Sequence, residues 1–290
     1  MTASVVQGPD ISAETVAARP DVVTLLDVAG AGGRLVRRLA QLPPGTSRVG
    51  TAGPAGELWF VISGTAVLET TGLETTVPET APGPEGLAGA GRAGAGRAGA
   101  GRAGAGGAGA GGAGAGGAGA AGAGVAVGAE HGVWLPPGTG YRLRAGAAQA
   151  GRPGGVLIDI VALPGTRADG GFPAPLVSDL RDCPAEVTGD RRFRVLFGPG
   201  SGCPEATQFV GEIPPGRAPA HTHAYDEAVL VLAGAGVVHL GAGQHPLRPG
   251  TCVHLPPGQP HCLENTGTGT LRVLGVFHPG GSPAAKQPAG

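Results

Sequence analysis

The chain has 290 residues, enough for two domains of ordinary size, and its 59 glycines and 28 prolines leave little room for helices. Only 3% of residues are aromatic, and the formal net charge is −1 with Lys286 the single lysine among 20 basic residues. That balance argues against a basic surface for nucleic acid, and an all-β chain is the first expectation.

In chain order, Met1 to Ala31 holds no basic segment followed by an apolar run, and Asp10, Glu14 and Asp21 interrupt it. No secretion signal is read there, so a cytoplasmic location is expected, and 1–30 is taken as an N-terminal extension. Ala13 to Ala18 or Val22 to Val28 could form a short helix. The apolar runs Leu58 to Ile62, Val156 to Ala162, Arg194 to Phe197, Ala228 to Leu232, Val237 to Leu240 and Leu271 to Phe277 are bounded by Gly and Pro, and they read as strands of an antiparallel sandwich or barrel. Between the first two lies a tract from Ala88 to about Gly122 that repeats AGAGR and then AGAGG. Glycine and alanine bury too little surface to offset their ordering entropy, so a disordered insertion at about 81–124 is expected, with no membrane span. Cys183, Cys203, Cys252 and Cys262 lie far apart and read as reduced thiols.

With the tract set aside, the two halves share one punctuation. Pro43-Pro44-Gly45 precedes Glu57, which is followed by six residues and Gly64; Pro214-Pro215-Gly216 precedes Glu227, which is followed by six residues and Gly234. Later, Trp134-Leu135-Pro136-Pro137-Gly138 matches His254-Leu255-Pro256-Pro257-Gly258. The glutamates are offset by 170 residues and the prolines by 120, so the first half carries 50 extra residues, and the tract sits in that interval. Two homologous units are expected.

In the second unit Gly216 is followed by His221, His223, Glu227 and Gly234, and further on come Gly250, Pro256, Gly258, His261 and Asn265. On an extended strand His221 and His223 point to one face and can approach one cation, and a carboxylate offsets the charge of a divalent ion. These residues resemble the two signature motifs of the cupin superfamily, G-x5-H-x-H-x3,4-E-x6-G and G-x5-P-x-G-x2-H-x3-N. The first motif departs once, with four residues between Gly216 and His221.

The resemblance implies two tandem jelly-roll barrels: a degenerate barrel at 31–165, a linker at 166–179, a metal-binding barrel at 180–282 and a disordered tail at 283–290. It implies His221, His223, Glu227 and His261 as ligands of one divalent transition metal, iron, manganese, nickel, copper or zinc. In the first unit the histidine positions hold Thr51, Gly53 and Tyr141, and Ala145 replaces the asparagine. One ion per chain is therefore expected, and the first barrel reads as a packing partner or as a pocket bounded by Trp59 and Tyr141. The implied activity is dioxygenation of a small enol, diketone or aromatic substrate, with Glu227 as ligand and proton acceptor. The alternatives are a redox-neutral isomerase or aminohydrolase, or a non-catalytic small-molecule binder, and a homodimer is compatible with each. Two weaker expectations are a second metal site from Cys252, His254 and Cys262, and a pocket mouth lined by Arg272 and His278, which share a parity on their strand.

Overall fold

Apolar runs rich in β-branched residues and punctuated by Gly and Pro close on one another as antiparallel strands, and they build two tandem jelly-roll barrels. The computed structural model describes residues 2–11, 22–30, 33–71, 124–148, 154–165, 176–285 and 287–288. The expected disordered tract lies outside the described residues, as does the expected helix at 13–18. The expected helix at 22–28 is instead part of the strand Val23–Gly30, paired with Gly33–Leu42. Its β-branched Val and Thr side chains, with a partner strand three residues away, favour extended backbone over an isolated helical turn.

In the first barrel one sheet runs in the order Leu176–Asp179, His131–Leu135, Glu57–Thr71, Val156–Ala162, Gly33–Leu42 and Val23–Gly30. The long strand Glu57–Thr71 continues past a register shift to pair with Val125–Gly128 and Gly140–Ala145, which carries it into the opposite wall. In the second barrel one sheet runs Ser4–Gln7, Thr251–Leu255, Asp226–Ala233, Leu271–His278, Thr207–Ile213, Arg191–Phe197 and Glu186–Thr188. The facing sheet holds Gly243–Leu247, Gly236–Leu240, His261–Asn265 and His221–Thr222.

Segments assigned from sequence to an extension and a linker thus lie in the sheets. Ser4–Gln7 pairs with the second barrel, and Leu176–Asp179, which directly precedes the second barrel in the chain, pairs with the first.

The core explains why the strands read as continuous apolar runs rather than alternating ones. In Asp226–Ala233, Val229 and Val231 face the second barrel's interior with Val238, Val253 and Leu263. Ala228 and Leu230 face the other way, into a core shared with Leu35, Leu58 and Phe60 of the first barrel. Both faces are covered, so both are apolar. The first barrel's interior is filled by its own cluster, including Trp59, Leu68, Tyr141, Leu143 and Ile158.

Candidate metal centre

The site forms where the two sheets of the second barrel face each other at one end. His221 and His261 are direct register partners on neighbouring strands, which sets their side chains side by side. Their ring centroids lie 4.4 Å apart, and His223 follows at 4.9 Å from His221 and 5.4 Å from His261. One ligand atom from each of the three imidazoles lies within 4.8 Å of the others. Glu227 comes from the opposite sheet, with Oε2 at 3.6 Å from Nε2 of His223 and 3.5 Å from Nε2 of His261. All four residues are buried. The turn of the second motif is fastened to the first, since the Gly258 N–H donates to the His223 carbonyl at 2.8 Å. Asn265 serves the frame: its amide donates to the carbonyls of Ile213 and Gly269, and its Oδ1 accepts from the Gly267 N–H.

Each imidazole is aimed by the main chain. Nδ1 of His221, His223 and His261 donates to the carbonyls of Pro219, Ala285 and Gln259 at 3.3, 3.1 and 2.9 Å. A carbonyl can only accept, so Nδ1 carries the proton and Nε2 presents a lone pair. Three imidazole lone pairs gathered beside a carboxylate suit a divalent transition ion, and backbone acceptors behind ligating histidines are the usual support of such an ion.

Ala285 belongs to the segment read from sequence as a disordered tail beginning at 283. That segment is drawn onto the site instead: buried Pro283 lines the pocket, and Gln287–Pro288 pairs with His221–Thr222. Backbone groups make these bonds, and backbone groups leave no mark in the side chains of Pro283 to Gly290.

Beside the histidines Phe193, Phe209, Tyr225 and Phe277 form an aromatic wall, with His223 stacked on Tyr225 at 5.0 Å. The Tyr225 hydroxyl donates to the Ser282 carbonyl at 2.7 Å, and burial, then the nearby Glu227 charge, pushes its pKa well up. The pocket is about 60 Å³, less than the roughly 150 Å³ that holds a benzene ring in an engineered cavity. Arg191, not singled out from the sequence, also lines it. A basic residue sharing strand parity with Phe193 was the available signal.

Other expectations need correction. Arg272 and His278 do share a face, but it is the face of Leu274 and Val276 that packs against the first barrel. Arg272 pairs there with Glu130 at 2.7 Å, and neither residue lines the pocket. Cys252 and His254 lie in the seven-stranded sheet and Cys262 in the facing one. His254 pairs with Asp226 at 3.0 Å, Cys252 is buried in the inter-barrel core with its thiol pushed up to about 12 by that burial, and Cys262 donates to the Ala218 carbonyl. Among the described residues these three form no metal-sized group. The four cysteines are buried thiols and not disulfides. In the first barrel Trp59 meets Tyr141 edge to face at 4.6 Å and donates to Glu57 at 2.9 Å, so the side chains that were to bound a pocket pack against each other.

Among the described residues this is a bicupin fold with one histidine-rich cluster, and the comparisons bear on the fold. Residues 209–277 match the family of the Cupin domain. The protein Ylba from E. coli is similar in structure, with a TM-score of 0.60 at 11% identity over 95% of this chain and 90% of that one. A putative glyoxylate induced protein from Pseudomonas aeruginosa gives 0.59 at 14% identity over 92% and 84%. A mutant of Bacillus subtilis oxalate decarboxylase gives 0.58 at 13% identity over 90% and 76%. No curated protein matches in sequence. Residues 209–277 thus form a Cupin domain, and over the rest of the described chain the likeness is one of fold.

Proposed function

We propose that the second barrel, 180–282, is the working unit of a metal-dependent enzyme, in which His221, His223, Glu227 and His261 hold one divalent transition ion. The observation that carries this reading is the set of three Nδ1–H bonds to main-chain carbonyls, which turns three Nε2 lone pairs toward one place beside Glu227. When bound, such an ion supplies a Lewis acid with positions left for substrate and, if redox-active, a route for electrons. Glu227 can take a proton from a substrate seated against it, and the aromatic wall keeps water from that proton.

The reaction proposed first is oxygen-dependent cleavage of a small enol or diketone, because the ligand pattern resembles that of cupin dioxygenases; the cavity size argues against the aromatic substrates considered from sequence. A redox-neutral reaction is the second reading, favoured by the likeness to a decarboxylase across both barrels. Exchange of the native ion for zinc separates them, since zinc accepts the same ligands without a redox change. The oxygenase reading expects turnover to vanish with zinc and under anaerobiosis. Activity that survives either condition overturns it in favour of the redox-neutral one.

A further inference from the structure

We infer that Arg191 is the anchor for a substrate carboxylate, so that the pocket selects small organic acids over neutral compounds of the same shape. The inference rests on the metal-centre reading above for the second point at which such a substrate is held.

Arg191 opens the strand Arg191–Phe197 beside the hairpin turn from Glu186–Thr188, and its side chain points into the barrel with only 9% of its surface exposed. One guanidinium nitrogen donates to the Leu263 carbonyl at 2.6 Å. Its Nε is buried with no hydrogen-bond partner among the described residues, and no carboxylate lies within ion-pairing distance of it there. The contrast with Arg37, the other deeply buried arginine, is informative. Arg37 holds Asp159 through two nitrogens and spends the rest on two carbonyls. A buried guanidinium without a counter-ion is costly, and residues that touch a ligand are where such a cost is tolerated.

Charge counting points the same way. Asp190, its neighbour in the chain, and Glu227 are the acids whose charges act on Arg191, and of the two only Glu227 lines the pocket. With a divalent ion in place, the lining carboxylates Glu212 and Glu227 face two positive charges on the ion and one each on Arg191 and Arg192, which leaves the pocket with a net charge of about +2. A carboxylate, whose two oxygens match the guanidinium fork, offsets that excess, whereas an amide or ester does not. The cavity of about 60 Å³ limits the acid to a few carbon atoms. A 2-oxo acid fits both demands, with its carboxylate on Arg191 and its 2-oxo oxygen toward the histidines.

The test is calorimetric titration with pyruvate and its neutral analogue pyruvamide, on the zinc-loaded and the metal-free protein, for wild type, Arg191→Gln, Arg191→Lys and the exposed control Arg217→Gln. Zinc content is measured on each sample. Wild type is expected to bind pyruvate at least tenfold more tightly than pyruvamide. Arg191→Gln should lose that preference by weakening pyruvate alone, Arg191→Lys should keep part of it while retaining a donor for the Leu263 carbonyl, and Arg217→Gln should match wild type. Equal weakening of both probes would mark Arg191 as a structural strut and overturn the inference. So would a wild type that binds neither probe or fails to distinguish them. A protein that takes up no zinc refutes the metal-centre reading instead; the carboxylate preference of the metal-free protein, present or absent with Arg191, then decides this inference by itself.

Discussion

Main-chain carbonyls at Pro219, Ala285 and Gln259 fix the tautomer of the three histidines, so the protonation pattern of the second barrel's site is set by backbone geometry. The equivalent glutamate of the first barrel has a different fate. Glu57 accepts from the Trp59 indole at 2.9 Å, and burial raises its carboxyl above the ordinary value, an effect that the hydrogen bond from Trp59 and the charges of Arg38 and Arg48 only partly oppose. In the unfolded chain a glutamate titrates near about 4.3. Between that value and the raised one, the folded state holds a proton that the unfolded state has released, so stability falls as pH rises through this window. Below it both states are protonated and the penalty is absent. Glu57→Gln, which can still accept from Trp59, should therefore raise the melting temperature at pH 7 and leave it unchanged near pH 3.5. The same shift at both pH values in a calorimetric scan would contradict the assignment.

Strand pairing across distant parts of the chain determines what surrounds the site. Gly250, the opening glycine of the second motif, has φ of +90°, and a β-carbon there would lie 1.8 Å from the Pro9 carbonyl oxygen. The N-terminal strand Ser4–Gln7 thus runs on over this turn after pairing with Thr251–Leu255. Gly250→Ala should cost roughly 2 kcal/mol or more in urea denaturation, through backbone strain together with displacement of the arm; a cost below about 0.5 kcal/mol would show that the arm yields freely. The two motifs were legible because their spacing is local: a His-x-His at the end of the strand His221–Thr222 and a Pro-x-Gly turn before His261 bring their side chains together through short-range geometry. Parity with Phe193 was the one local sign of Arg191, whereas the Ala285 carbonyl at the site and the arm along Thr251–Leu255 were not legible, since each arrives through a pairing or contact between segments far apart in sequence. Arg272 and His278 show the limit of parity. Alternation placed them correctly on one face, but a strand apolar on both faces does not say which face is inside.

At the scale of the whole molecule the barrels share one core, and Arg37 pins them through it. This fully buried side chain holds Asp159 of the first barrel at 2.7 Å and donates to the Ala228 and Leu274 carbonyls of the second. Arg37→Met leaves Asp159 buried and alone, which should cost about 3–5 kcal/mol, and the double variant Arg37→Met/Asp159→Leu should regain at least half of that loss. Equal stability of the single and double variants in denaturant melts would contradict the assignment of the loss to an uncompensated Asp159 charge. Among the described residues no helix is long and apolar enough to cross a membrane. The division of labour between a barrel packed with Trp59 and Tyr141 and one that gathers His221, His223, Glu227 and His261 is tested most directly by the metal content of the purified full-length chain after loading and desalting. About one equivalent per chain is expected for wild type, the same for Glu57→Gln, and none for the His221→Ala/His223→Ala variant. Two equivalents in wild type, or retention of metal by the double-alanine variant, would contradict the account.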